Sequence, residues 1–467
     1  MMIGNTILTP KNQALPYNGG GNNNDLDAVY LDIDGDASTV SSSSADLAIN
    51  NSCKKIVFAG LYWSAMYPTE SSSYDDRNCF NCGPAARDDW NVVQFKVPGA
   101  TTYTTITADK ADPKEVIFKG NSAANPFVFN DGVYVCFKDV TSLLAAPSLA
   151  NADGTYTVAN LRATTGRRRG GSAGGWTLVV IYESPTLSSK FISVFDGAQM
   201  TNVDSGTNQL LEVNIPIIGF QTLPAPLPVN AKMGVAALDG DYDFKGDGLS
   251  FREGVPPPAT PAAPANSFFT SINNTLNPSD NFFNATITNN NVHVANRNPT
   301  NRNNLGFDID QMKIPNALTS VIHNNATQGT LRLNTNNDGY AAFVVTFAVD
   351  IIEPKILLTK EVFDIPAPTT PPTPPKNMGD QDVTLGQQLS YVIGFQNQGN
   401  DHATAFTITD QLPINTVFVY PTDIDAASLP TGVTHSYDAT TRTITFTIPN
   451  NLVEINDPRY EIRFKVK

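Results

Sequence analysis

The sequence predicts an all-β protein: a large jelly-roll-like β-sandwich head followed by an immunoglobulin-like β-sandwich. Three observations predict it. Apolar residues recur with period two in short runs, each bounded by Gly, Asn, Asp or Pro. The chain is rich in Asn, Thr, Ser, Gly and Pro, which favour turns and short strands over long helices. No alternation of strands with helical patterns appears, which disfavours a nucleotide-binding parallel sheet.

The elements follow in chain order. Residues 1–24, "MMIGNTILTPKNQALPYNGGGNNN", read as a flexible or extended segment. They lack a charged region followed by an apolar one, so no signal peptide is visible. Strands are expected in "KKIVFAGLYWSA", "WNVVQFKV", "GVYVCFKDV", "GTYTVANLRA", "GWTLVVIYES" and "KFISVFDG". Further strands are expected in "LLEVNIPIIGF", "KMGVAAL", "ATITNNNVHVA", "LGFDIDQMKI", "QGTLRLNTN" and "GYAAFVVTFAVDII". Only "DVTSLLAA" and "SSSSADLAI" read as single helical turns. At 467 residues the chain is longer than one ordinary domain. Proline clusters at 223–229, 255–265 and 363–377. The last is either a semi-rigid linker or a long loop inside a second domain that begins near Pro354.

A formal net charge of -14 and a sequence pI of about 4.7 set the field of the molecule. Such a surface repels phosphate backbones and anionic lipid, so neither nucleic acid nor membrane insertion is expected. The basic run Arg167-Arg168-Arg169 lies between glycines and reads as a solvated loop. No stretch approaches the roughly twenty apolar residues of a membrane-spanning helix.

Four cysteines, Cys53, Cys79, Cys82 and Cys136, are compatible with two disulfides in one of three connectivities. We expect Cys79–Cys82 as a local pair and Cys53–Cys136 as a staple between strands. A zinc ribbon wants a second CxxC, and Cys53 and Cys136 stand alone.

No HExxH and no phosphate-binding glycine loop occurs in the sequence. A glycosidase needs two carboxylates across a cleft, and acids are plentiful, so composition alone leaves that reading open. Asp308 and Asp310 in "GFDID" alternate onto one strand face, which reads as a solvated face. Trp63 and Trp176 lie in strongly apolar strands and read as core. Trp90, after "RDD", reads as a surface aromatic suited to stacking on a sugar.

The richest segment is "VAALDGDYDFKGDGLSFREG", residues 235–254. It holds Asp239, Asp241, Asp243 and Asp247 among glycines. Calcium takes six to eight oxygens on a flexible loop, and alternating Asp in a Gly-rich turn can supply them. Asp32, Asp34 and Asp36 in "DIDGD" form a second candidate. Neither is an EF-hand: Ser43 and Ser250 occupy the twelfth positions, and Phe244 stands where the sharp turn needs Gly. The alternative is that Asp and Gly simply make turns. Calcium is the expected ion, and the role expected is structural.

Two resemblances then organise the chain. "LLTKEV...DVTLGQQLSYVIGFQNQGNDHATAFTITDQLPINTVFV" resembles the DUF11 repeat module of bacterial surface proteins. Gly386, Leu389, Tyr391, Asn397 and Gly399 match its first motif, and Thr409, Asp410, Leu412 and Pro413 its second. It implies an immunoglobulin-like domain over 354–467, with the Pro-rich stretch 364–377 as an internal loop and either a missing last strand or a truncated module. "DIDGDASTVSSSSADL", "GGSAGGWTLVVIYESP", "NNLGFDIDQMKI" and "DGYAAFVVTFAVDIIEPKI" resemble the N-terminal head of very large surface adhesins of gliding Bacteroidetes. That resemblance implies a head domain over 1–353, export by the secretion machinery with removal of a signal peptide, and an extracellular, cell-surface location. Its partners would be an extracellular surface, a polysaccharide or other surface proteins. It carries no catalytic residues. The expected function is a non-catalytic adhesin, filament or stalk protein acting in attachment or gliding. The alternative is an extracellular carbohydrate-binding module or carbohydrate-active enzyme with an appended immunoglobulin-like domain.

Overall fold

The computed structural model describes residues 1–49, 53–67, 90–119, 132–146, 152–167, 171–184, 187–201, 210–254, 268–366, 368, 370 and 373–467. The chain divides into two compact units, Met1–Ile351 and Ile352–Lys467.

Among the described residues, four sheets build the first unit. One runs β1 (Met2–Thr6), β11 (Gly174–Glu183), β5 (Lys55–Met66), β9 (Val133–Asp139), β8 (Val116–Lys119). A second runs β18 (Arg297–Asn298), β4 (Ser42–Leu47), β10 (Gly154–Ala159), β6 (Val92–Lys96), β7 (Thr104–Thr107). A third runs β12 (Lys190–Met200), β21 (Ala341–Asp350), β14 (Ala231–Leu238), β19 (Phe307–Lys313), β17 (Ile287–Asn289). The fourth runs β13 (Glu212–Ile218), β20 (Gln328–Thr335), β15 (Asp247–Glu253), β16 (Thr270–Ser271). β2 (Leu8–Pro10) and β3 (Ala28–Tyr30) form a separate hairpin-like pair. Pairing is antiparallel except between β17 and β19.

The all-β sandwich class is what the structure has, but the head is two sandwiches rather than one. Leu61, Trp63, Trp176 and Leu178 meet Phe95, Tyr156 and Val158 in the first core. Val235, Ala237, Val345 and Phe347 meet Leu249, Phe251, Leu331 and Leu333 in the second. A third core joins the two, with Met2, Tyr62, Val135 and Val179 against Ala236, Phe307, Ile309 and Phe343. Strands β5, β11, β14 and β21 are therefore apolar on both faces, which is why their runs read as almost continuously hydrophobic.

Two segments differ in detail from their sequence reading. Residues 1–24, read as flexible or extended, begin with an extended and paired strand: Met2–Thr6 pairs with β11, and all of β1 is buried. Met2 packs into the joining core while Ile3 packs into the first. Gly4 and Asn5, which read as loop residues, are what let β1 lie close to β11. Asn5 is saturated, its Nδ2 donating to the carbonyls of Ser44 and Pro299. The serine run is not a helical turn but strand β4, with Ser41–Ser44 buried. Its short hydroxyls fit the sandwich, and Ser43 Oγ accepts from Trp176 Nε1 at 2.9 Å. The other expected turn is present as α1 (Thr141–Leu144).

The second unit is a small sandwich of two three-stranded sheets. One runs β22 (Ile356–Asp364), β23 (Leu389–Asn397), β27 (Tyr460–Val466); the other runs β24 (Thr407–Gln411), β26 (Thr443–Thr447), β25 (Thr434–Asp438). Phe395, Ile408, Phe446, Ile462 and Phe464 form its core. β22 pairs along its whole length with β23, and residues 365–388 connect them.

Candidate functional site: the acidic segment and the buried carboxylates

β14 ends at Leu238 and β15 begins at Asp247, so the acidic segment is the connection between the third and fourth sheets. Asp239 takes a left-handed φ of 70°, a conformation Asp tolerates better than most residues. Three of the carboxylates turn toward one partner, the Gly/Asn segment at 19–23. Asp243 Oδ2 accepts from the Gly21 amide at 2.6 Å, Asp241 Oδ1 from the Asn23 amide at 2.9 Å, and Asp239 Oδ1 from Asn23 Nδ2 at 2.6 Å. Asn22 Oδ1 accepts in return from the Asp243 amide. Asn23 is buried in a slot that only glycines leave open: a Cβ on Gly171 or on Gly306, whose φ is +68°, would overlap its amide. The contacts form a clasp, in which a surface turn gathers a Gly-rich segment through charge-assisted hydrogen bonds.

Asp247 is not part of that face. As the first residue of β15 it points into the second sandwich, where Oδ1 accepts from the Phe283 amide at 2.7 Å. Asp308 and Asp310 join it inside. They were expected on a solvated face, yet they are 0% and 1% exposed. β19 lies between β14 and β17 in its sheet; Phe307 and Ile309 fill the joining core on one face, and the alternate positions enter the second sandwich on the other. There Asp308 Oδ1 accepts from the Thr286 amide at 2.9 Å, and Asp310 Oδ1 from Thr288 Oγ1 at 2.7 Å. Asp338, also buried, accepts from the Asp241 amide through Oδ2.

These interior acids share an electrostatic problem. The Oδ2 atoms of Asp247, Asp308 and Asp310 are buried and have no hydrogen-bond partner. Among the described residues, none of Asp241, Asp247, Asp308, Asp310 and Asp338 forms an ion pair. Burial pushes the Asp247 carboxyl up to about 7, and burial with Asp241 and Asp247 nearby pushes Asp338 to about 9. Asp241, Asp308 and Asp310 are raised as well, by burial first and by neighbouring carboxylates second. A polar recess of about 310 Å³ opens beside Asp247, lined also by Lys245, Asp280, Asn334, Asn336 and Asn337.

In the second candidate loop the carboxylates are occupied by their own turn. Asp32 Oδ1 accepts from Ser42 Oγ, and Asp34 Oδ1 from the Asp36 amide and Thr39 Oγ1, each at 3.0 Å. Asp34 also binds the Tyr103 hydroxyl, and Asp36 Oδ1 accepts from the amide and hydroxyl of Ser38. Among the described residues, no three His, Cys, Asp or Glu side chains are arranged to hold one metal ion.

The remaining candidates disperse. Cys79 and Cys82 lie outside the described residues. No bridge joins Cys53 to Cys136: Cys136 is a free thiol on β9 turned into the first core, and Cys53 is exposed just before β5. Trp63 and Trp176 are core residues. Trp90 is not a surface aromatic; it is 2% exposed, lies tilted against Tyr134, and is capped by the ammonium groups of Lys110 and Lys119 at 5.5 and 5.6 Å from its ring centre. Two ammonium groups lie over the ring as cation–π partners, a covering that composition around "RDDW" did not suggest. Arg167 pairs with Asp25 at 3.0 Å, and Arg168 and Arg169 lie outside the described residues.

In the second unit Lys360 of β22 reaches Asp410 of β24 at 2.7 Å, joining the two sheets, with its ammonium 4.6 Å from the Tyr391 ring centre. Asn397 Oδ1 accepts from the amides of Lys355 and Gly399, closing the turn after β23. A groove of about 840 Å³ crosses the outer face of this unit's first sheet. Phe363 and Val392 line it, and Arg463 and Lys465 at its rim are already paired with Glu461 and Asp423.

No family model matches the chain, and no curated protein matches it. Among solved structures, PNGase F, a glycosylasparaginase from Flavobacterium meningosepticum, is 10% identical over 75% of this chain and 95% of its own, with a TM-score of 0.19. A peptide-N(4)-(N-acetyl-β-D-glucosaminyl)asparagine amidase is 10% identical over 76% and 97%, with a TM-score of 0.19. The mavirus major capsid protein is 9% identical over 76% and 87%, with a TM-score of 0.13. Likeness this slight carries no argument about what the chain does.

Proposed function

We propose that this chain is a non-catalytic attachment module of a bacterial cell surface, a double-sandwich head followed by a DUF11-type immunoglobulin-like module. The observation that carries the reading is the use of the motif residues in the second unit. Lys360, Tyr391 and Asp410, scattered through the sequence motif, meet at one point and tie its two sheets together. The head supports the same reading, because its acids, asparagines and tryptophans hold loops and strands in place. Its partners are an extracellular surface, a polysaccharide or another surface protein, and the chain reaches them by export. Beads coated with the full chain are expected to adhere to polysaccharide-coated or cell-coated surfaces better than beads carrying an unrelated acidic protein. Adhesion equal to that control removes the reading. Sugar products released from those polysaccharides, and lost in Asp308→Asn, favour the carbohydrate-active alternative.

Calcium belongs to the same proposal. It would neutralise the face formed by Asp239, Asp241 and Asp243, and in the weaker case Asp32, Asp34 and Asp36. Asp247, turned inward, would not share that ion. A site that fills only in the folded state stabilises by mass action, about 2.7 kcal/mol when calcium is a hundred times its dissociation constant. Thermal unfolding of the full chain should therefore shift upward with calcium relative to EDTA. Identical melting in the two leaves the acidic loops as turns only.

A further inference from the structure

We propose that Asp247, Asp308 and Asp310 form a proton-held lock: as neutral carboxylic acids they fasten the 274–288 excursion to the second sandwich, and on ionisation they loosen it.

The geometry carries this in three steps. First, the three acids contact the segment that needs holding. Asp247, Asp308 and Asp310 take hydrogen bonds from Phe283, Thr286 and Thr288. Second, Asp247, Asp308 and Asp310 each use one oxygen and bury the other without a partner. An ionised carboxylate in that position leaves charge density unsolvated, at far greater cost than a neutral acid. Third, the groups that face them are of one sign. Asp310 and Asp247 face Asp308, Asp247 faces Asp310, and Asp280 faces Asp247. Asp338 adds a further carboxyl near Asp247, and Tyr340, just before β21, feels both. Lys245 pairs with Asp280 at the surface, 3.0 Å away, and Asp25 and Asp243 add negative charge beside Asp241. β14 brings no titratable side chain opposite the pair, since Val235 and Ala237 stand beside Asp310 and Asp308. Protons are the simplest way to satisfy such a cluster.

The sign of the pH effect follows. Carboxyls raised in the folded state bind more protons there than in the unfolded chain. Their contribution to stability is complete below the ordinary carboxylate range near about 4 and declines as pH rises through the folded values. For Asp247 and Asp310 these are about 7 and about 8.

The test uses the full chain in EDTA, so that it stays independent of any calcium site. Infrared spectra in heavy water should show the carbonyl stretch of protonated carboxylic acid at about pH 6, fading toward about pH 9. Over the same range the midpoint of unfolding should fall by roughly 5–10 °C. In Asp308→Asn with Asp310→Asn, which keeps shape and removes the titration, part of the band should be missing and the fall should be shallower. Absence of the band in the parent at about pH 6, or a midpoint that holds or rises with pH, overturns the lock. The parent spectrum decides even if the double variant does not fold.

Discussion

Replacing Gly4 by Val is expected to destabilise the first unit by about 4 kcal/mol or more, in the range reserved for severe core lesions. A Cβ at Gly4 would overlap the Trp176 carbonyl oxygen and stand 2.7 Å from Ile309 Cδ1. Neither neighbour can retreat: Trp176 is fully buried in the first core, and Ile309 in the core that joins the two sandwiches. The β-branched side chain must therefore push β1 out of its register with β11, and Met2 and Ile3 leave their cores with it. Thermal or urea unfolding of the full chain measures the effect. A variant that melts within about 2 °C of the parent contradicts the placement of β1 between the sandwiches.

How much of this was legible beforehand depended on what kind of signal each element left. Strands such as β5, β11 and β21 announced themselves because burial on both faces writes a long apolar run. The N-terminal strand did not. Its five residues include a glycine and an asparagine, chosen by close approach and by a saturated amide rather than by hydrophobicity. β4 was hidden for a related reason: four serines before "ADLAI" look like a helical turn until a tryptophan indole needs one as an acceptor.

The site divides in the same way. The acidic turn was found from its spacing, and its position between two strands follows from the apolar run before it. Its partner, the Gly/Asn segment more than two hundred residues earlier, leaves no local pattern. Asp308 and Asp310 were read as exposed because alternation with apolar residues normally marks a half-buried strand. A signal was available. The run "MGVAAL", apolar at consecutive positions, marks a strand covered on both faces, and a strand paired with it inherits that burial. Pairing partners, however, are set by topology, and the sequence does not print them.

The second large effect concerns the clasp. In the variant carrying Asp239→Ala, Asp241→Ala and Asp243→Ala, the Gly21 and Asn23 amides lose their acceptors. Each charge-assisted bond contributes about 1.5–3 kcal/mol. Global stability should move less than that implies, because removing Asp241 also relieves repulsion from Asp243 and Asp25 in the folded state. The loss should instead be local, an opening of residues 19–23 while the two cores stay shut.

Native-state hydrogen exchange at the Gly21 and Asn23 amides, in parent and triple variant, therefore tests most directly whether these carboxylates are structural. The parent should protect both amides, and the variant should exchange them roughly a hundredfold faster, with strands β14 and β15 unchanged. Amides that exchange freely in the parent, or equally slowly in both proteins, would contradict the clasp and return the acidic segment to the list of groups free for chemistry.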